Sequence, residues 1–132
     1  MTPFNNTRHL VMVEDCQGDK VLLELALHKI GMDFTMMWFK DGQTACDEIT
    51  ALVPCPHLII LDLNLPKRSG WDVLECIQAA SNLSASVVVL SSSGSPDDIK
   101  KAKERNCMYI RKPMQIKEYQ AIASQLAGLM AQ

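Results

Sequence analysis

At 132 residues, 48% of them hydrophobic and 21% charged, the chain has the composition of one globular domain with its own core and little room for a second. Thirteen basic against fifteen acidic residues leave a formal charge of −2, which argues against nucleic acid or an anionic membrane as a partner. MTPFNNTRH lacks the apolar core of a signal peptide, and no apolar run approaches the roughly 18 residues of a bilayer span, so a cytoplasmic location is expected.

Residues 1–7 carry no pattern and are expected to be loose. His9 to Val13 is the first strand candidate and runs into the acid pair Glu14-Asp15. Leu22, Leu23, Ala26, Leu27 and Ile30 then recur at helical spacing, with Gly31 placed to end that helix in the left-handed conformation. Phe34 to Phe39 reads as a second strand, in which Met36-Met37 serve as core or sheet filler and Trp38 as a packing residue. Ala45, Ile49 and Leu52 mark the second helix.

Leu58-Ile59-Ile60-Leu61 is short, rich in branched residues and bounded by Pro56, the signature of a strand buried on both faces, and it ends at Asp62. Trp71, Leu74 and Ile77 mark a third helix, with Trp71 again a packing residue. Val87 to Leu90 is a second doubly buried strand and ends at Ser91. Ser95 can cap a fourth helix whose first turn is Pro96-Asp97-Asp98, where the acids suit the positive end of the helix. Asn106 can take a left-handed turn before a fifth strand, Met108 to Arg111, which leads to Lys112. A last helix, roughly Ile116 to Met130, presents Ile116, Tyr119, Ile122, Ala123 and Leu126 on one side.

Five alternating β-α units imply an α/β fold: a five-stranded parallel sheet, doubly wound, with right-handed crossovers. In such a sheet ligands bind beyond the carboxyl ends of the strands. One domain over residues 1–132 is expected with no output domain, so that any output runs through another molecule.

Glu14-Asp15, Asp62, Ser91 and Lys112 all follow strands and would meet on that one rim. Three carboxylates in a crevice repel one another unless a cation or protons neutralise them, and an all-oxygen set suits magnesium. Lys112 adds a compact positive charge for a phosphoryl oxygen, and Ser91 a hydroxyl. Singly, each has a plainer reading as a turn, cap or surface residue; together they describe a carboxylate nucleophile beside a metal. The five cysteines, Cys16, Cys46, Cys55, Cys76 and Cys107, are odd in number and lack a C-x-x-C pair, so they read as small buried thiols, Cys16 included.

These stretches, VMVEDCQGDK, KDGQTACDEI, PHLIILDLNLPKRSGWDVL, SVVVLSSSGSPDDIKKA and YIRKP, resemble response-regulator receiver domains over nearly the whole chain, most specifically in LDLNLPKRSGWDVL. The likeness extends to small stand-alone regulators partnered with phytochrome-like and hybrid kinases. It implies the flavodoxin-like receiver fold with strand order 2-1-3-4-5. It also implies that Asp62 is the phosphoacceptor and that Asp15, Asp62 and the backbone carbonyl of Asn64 ligate Mg2+, for which Mn2+ can substitute. Glu14 would act through a metal-bound water, Lys112 would contact the phosphoryl group, and Ser91 and Tyr109 would be the switch hydroxyl and switch aromatic. The donor would be a sensor histidine kinase or phosphotransfer protein, the output a separate protein, and a homodimer could form through the fourth helix, fifth strand and fifth helix. A receiver is a phosphoacceptor switch and not a turnover enzyme.

Three features depart from the family pattern: Glu at position 14 for the commoner Asp, Ser91 for Thr, and a turn before the fifth strand one residue short, which bears on where Tyr109 lies. The Lys112-Pro113 bond is typically cis in the family. Rival readings are a degenerate receiver that only binds protein, a haloacid-dehalogenase-type phosphatase, and a flavin binder. The phosphatase lacks its second Asp, because Asp62-Leu63-Asn64 stands where D-x-D is needed, and the flavin site lacks its cradle in the acidic loop EDCQGDK.

Overall fold

The structure, a computed structural model, describes residues 7–130. Strand β1 (Arg8–Val13) leads to α1 (Gln17–Lys29), β2 (Phe34–Phe39) to α2 (Gly42–Glu48), and β3 (Leu58–Leu61) to α3 (Gly70–Ala79). Then β4 (Ser86–Ser91) leads to α4 (Pro96–Glu104), and β5 (Met108–Arg111) to α5 (Tyr119–Met130). Single 3-10 turns extend α2 at Ile49–Ala51 and precede α5 at Ile116–Glu118.

All strand pairs are parallel and the sheet order is β2-β1-β3-β4-β5. The expected α/β receiver-type architecture is thus present. The period-2 alternation of β1 and β3 feeds two cores. Leu10, Met12, Leu58 and Ile60 pack with Leu23 and Leu27 of α1 and Ile122 and Leu126 of α5. Val11, Val13, Ile59 and Leu61 pack with Ala45 of α2 and Val73, Leu74 and Ile77 of α3. Each fully buried aliphatic side chain contributes about 1.5–3 kcal/mol, so β1 and β3, whose side chains enter both cores, are firmly anchored. The site is built on their ends.

Local signals are honoured. The Asp41 carboxylate accepts from the Thr44 amide at 2.7 Å and caps α2, Ser69 Oγ accepts from Asp72 N at 3.2 Å to cap α3, and Ser95 Oγ accepts from Asp98 N at 3.5 Å ahead of Pro96. Gly31 (φ +82°) and Asn106 (φ +60°) take the left-handed turns expected of them, and Lys67 (φ +70°) takes one that nothing in its side chain foretells.

Several expectations need correction. Ile116 is exposed, because it lies in the 3-10 turn before α5 and not on the buried stripe of the helix. Met36 packs on the core while Met37 is 48% exposed, since β2 is an edge strand with a partner on one side. None of the five cysteines is buried: Cys16 and Cys55 are exposed, the other three half-buried, and all are free thiols. Among the described residues the one cis peptide bond precedes Pro54, so the Lys112-Pro113 bond, whose isomer the sequence leaves open, is trans. Residues 1–6 of the segment expected to be loose lie outside the described residues. Thr7 lies within them, and its hydroxyl donates to Asp33 at 2.8 Å. Among the described residues no helix is long and apolar enough to cross a membrane.

Candidate functional site

The register places Val13 beside both Phe39 and Leu61. Ladder bonds continue past the strands, Glu14 N to Phe39 O at 3.0 Å and Asp62 N to Val13 O at 3.0 Å. Backbone bonding therefore fixes the two acids side by side. A carboxylate oxygen from each of Glu14, Asp15 and Asp62 lies within 4.8 Å of the others, with Glu14 and Asp62 buried and Asp15 exposed. The Asp62 Oδ1 accepts from Leu63 N at 2.7 Å and from Asn64 N at 3.5 Å, which holds the acceptor loop against its own side chain.

Two glycines close that loop. A Cβ on Gly70 would lie 2.2 Å from Asp62 O, and one on Gly42 would lie 2.1 Å from Arg68 O. Any side chain at either position would push backbone against backbone. The resemblance marks Gly70 only as the glycine of the turn after the acceptor loop and gives Gly42 no role, although a Gly just inside an Asp- or Ser-capped helix start is a detectable sign of close approach. Trp38, expected in packing, instead donates from Nε1 to Glu14 O at 2.6 Å, with the Lys20 and Lys40 ammonium groups 5.0 and 4.8 Å from its ring centre.

Lys112, which follows β5, carries the positive charge of the site. Its Nζ stands 2.7 Å from Glu14 Oε1, 2.8 Å from Asp19 Oδ2 and 3.3 Å from Asp62 Oδ2. The approach to Glu14 Oε1 is off hydrogen-bond geometry, so this buried oxygen has a charge partner and no hydrogen bond. Burial pushes the Glu14 carboxyl up to about 8, with Lys112 opposing and the Asp62 charge adding to the rise. Burial alone would lower the Lys112 pKa; its close contacts with the Asp19 and Glu14 carboxylates and the charges of Glu14 and Asp62 outweigh this and hold it above its ordinary value. One ammonium cannot neutralise three neighbouring carboxylates, and the leftover buried oxygen on Glu14 fits a hard divalent cation with oxygen ligands. Asp19 was missed by the sequence reading. Its signal was an acid in the first turn of α1, directly after the loop that carries the acid pair.

Ser91 is fully buried at the end of β4, and its carbonyl accepts from Lys112 N at 2.8 Å. Its hydroxyl accepts from Ser93 N at 3.2 Å, and none of the hydrogen bonds found among the described residues joins it to Asp62. Ser93 is a hub: its Oγ donates to Asp98 at 3.0 Å and accepts from Ser95 N at 3.1 Å, while its carbonyl accepts from the Tyr109 hydroxyl. The shortened turn thus still delivers Tyr109 to the β4–α4 loop. Glu14, Asp15, Asp62 and Lys112 are brought together, whereas Ser91 and Tyr109 form a second cluster joined through Ser93.

The chain is similar to known proteins in sequence and in fold. The family model of the response regulator receiver domain matches residues 10–124. The response regulator Rcp1 of Synechocystis sp. is 33% identical over 122 residues, covering 86% of this chain and 82% of that protein. The probable methanogenesis regulatory protein FilR2 of Methanothrix harundinacea is 31% identical over 115 residues, covering 83% of this chain and 74% of that protein. Among solved structures, a phosphorylated cyanobacterial phytochrome response regulator, RcpA, superposes with a TM-score of 0.86 at 30% identity, covering 95% of this chain and 94% of that one. The Mn2+-bound form of Rcp1 superposes with a TM-score of 0.81 at 29% identity over 92% of each chain.

Proposed function

Because the chain belongs to the response-regulator receiver family, a family of regulatory domains in two-component signalling, we propose that Asp62 is its phosphoacceptor. The observation that carries the reading is the Lys112 ammonium 3.3 Å from Asp62 Oδ2, with Glu14 and Asp15 beside them. An Asp62 carboxylate oxygen attacks phosphorus, the bond to the donor's nitrogen or oxygen breaks, and an acyl phosphate results. Lys112 offsets the charge that develops on the transferring oxygens, and the fixed backbone of β1 and β3 supplies the positioning on which phosphoryl transfer depends. Asp15, Asp62 and the Asn64 carbonyl would hold Mg2+ directly, with Glu14 acting through a water, and the metal would supply further charge neutralisation. A relative solved with bound Mn2+ and another solved phosphorylated support both parts.

The donor is a sensor histidine kinase or a phosphotransfer protein in the cytoplasm. Phosphorylation of Asp62 draws on the Ser91 hydroxyl and resets Tyr109, so that the surface of α4, β5 and α5 changes for a downstream protein or a second copy of the chain. The chain is a switch and not a turnover enzyme.

Intact mass after incubation with acetyl phosphate, with and without Mg2+, tests the proposal. A Mg2+-dependent gain of one phosphoryl group, absent in Asp62→Asn, is expected. No gain in the parent chain, from acetyl phosphate or from a phosphorylated histidine donor, would leave a receiver that only binds protein.

A further inference from the structure

Asp19 is the partner of Lys112 that the proposed chemistry leaves without a role. It lies in the first turn of α1 and outside the three-carboxylate cluster. Its Oδ2 is 2.8 Å from Lys112 Nζ, and its Oδ1 accepts from the Tyr119 hydroxyl, at the start of α5, at 3.4 Å. One carboxylate thus joins the lysine after β5 to both α1 and α5.

Three carboxylates crowd this ammonium at 2.7, 2.8 and 3.3 Å, those of Asp19 and Asp62 as hydrogen-bond acceptors and that of Glu14 as a charge partner. A phosphoryl oxygen arriving at Asp62 reaches Nζ by displacing one of them. The costs of release differ. The Glu14 and Asp62 side chains are 1% and 6% exposed, whereas that of Asp19 is 27% exposed. A released Asp19 recovers hydration, while a buried carboxylate stripped of its cation does not. The amino-terminal end of α1 also favours a free carboxylate in its first turn.

We propose that Asp19 is a positioning residue: it holds Lys112 toward α1 in the unmodified protein and is exchanged for a phosphoryl oxygen when Asp62 is modified, which alters the Asp19–Tyr119 contact between α1 and α5. This rests on Asp62 being the acceptor. It provides a path from the site to the surface that does not run through Ser91 and Tyr109, because Tyr119 also lines the groove between α1 and α5 with Leu22, Leu25 and Ile116.

The chain has two tyrosines, Tyr109 and Tyr119, so ring-labelled tyrosine gives two sets of NMR signals, assigned with Tyr109→Phe. Samples treated with acetyl phosphate and Mg2+ are read by NMR and by intact mass together. The Tyr119 signal moves as the phosphoryl mass appears. In Asp19→Ala it is displaced beforehand and moves less on phosphorylation, and phosphorylation is about two- to fivefold faster, the scale of a partly exposed ion pair. Asp19→Asn, whose amide oxygen still accepts from Lys112, falls between. Absence of the phosphoryl mass in the parent overturns the reading of Asp62 and this inference with it. Phosphorylation with the Tyr119 signal unmoved, or Asp19→Ala matching the parent in rate and signal, overturns the role of Asp19 alone.

Discussion

The Tyr109 hydroxyl on β5 donates to the backbone carbonyl of Ser93, so one side chain ties the last strand to the loop that starts α4. The same serine anchors the helix cap through Asp98 and Ser95. Tyr109→Phe removes the donor and leaves the carbonyl to water, a loss of about 1 kcal/mol in urea unfolding. Amide hydrogen exchange at Ser95 to Ile99 should accelerate in the same variant. Unchanged exchange there would mean that the loop holds its shape without Tyr109.

Lys112 is nearer to Glu14 and Asp19 than to Asp62, yet among the described residues it is the one cation paired with these carboxylates. Lys112→Ala should slow phosphoryl incorporation from acetyl phosphate by about 10²–10³-fold, the usual effect of losing one fixed charge at a transferring group. Lys112→Arg should not restore the rate, because a planar guanidinium fork cannot meet three carboxylates arranged around a point. A time course of intact mass measures both, and an arginine variant at parental rate would contradict the point-charge argument.

Asp62→Asn removes one of three clustered carboxylates while its amide oxygen can still accept from Leu63 N. Lys112 loses only its longest contact and keeps those at 2.7 and 2.8 Å, so relief of repulsion wins. In chelator the variant should melt about 3–5 °C above the parent, equivalent to about 1 kcal/mol. Added Mg2+ should narrow or reverse the gap by stabilising the parent. Thermal melts with and without Mg2+ decide it.

How much of this was legible beforehand follows from what sequence encodes locally. The acid pair, Asp62, Ser91 and Lys112 sit where apolar runs stop, and parallel register brings strand ends to one rim, so their convergence could be read from pattern. The Ser95 cap and the turns at Gly31 and Asn106 are also local chemistry. Asp19 and Ser93 could not be ranked in this way, because their meaning lies in contacts 93 and 16 residues away in the chain. Ile116 and Met37 were misplaced because helical or strand periodicity does not say where a 3-10 turn intervenes or which strand is at the edge.

Gly70 shows how closely α3 is set against the acceptor loop. A Cβ there meets Asp62 O at 2.2 Å and Leu63 Cα at 2.6 Å, both backbone, so no rotamer change relieves the contact. Gly70→Ala should cost about 1–3 kcal/mol or more, as overpacking does, and should slow phosphorylation by moving the Asp62 loop. Urea unfolding and the mass time course test these separately. Parental values in both would show that α3 can shift freely.

Cys46 on α2 and Cys76 on α3 bring their sulfurs to 2.6 Å, and burial, with the neighbouring thiol adding to it, pushes Cys46 up to about 12. In a limited alkylation at mildly alkaline pH, the exposed Cys16 and Cys55 should therefore be modified first and Cys46 last, as peptide mapping would reveal. The sign for stability follows from linkage. Between its ordinary 9.0 and about 12, Cys46 keeps in the folded chain a proton that it has lost in the unfolded one, so stability falls as pH rises through that window. Cys46→Ala should flatten this alkaline limb, leaving Tyr119, whose phenol burial and the nearby Asp19 charge also push up to about 12, as a further contributor. Stability curves from pH 8 upward for the parent and for Cys46→Ala measure the difference, and parallel curves would mean that the Cys46 thiol ionises as readily in the fold as in the open chain.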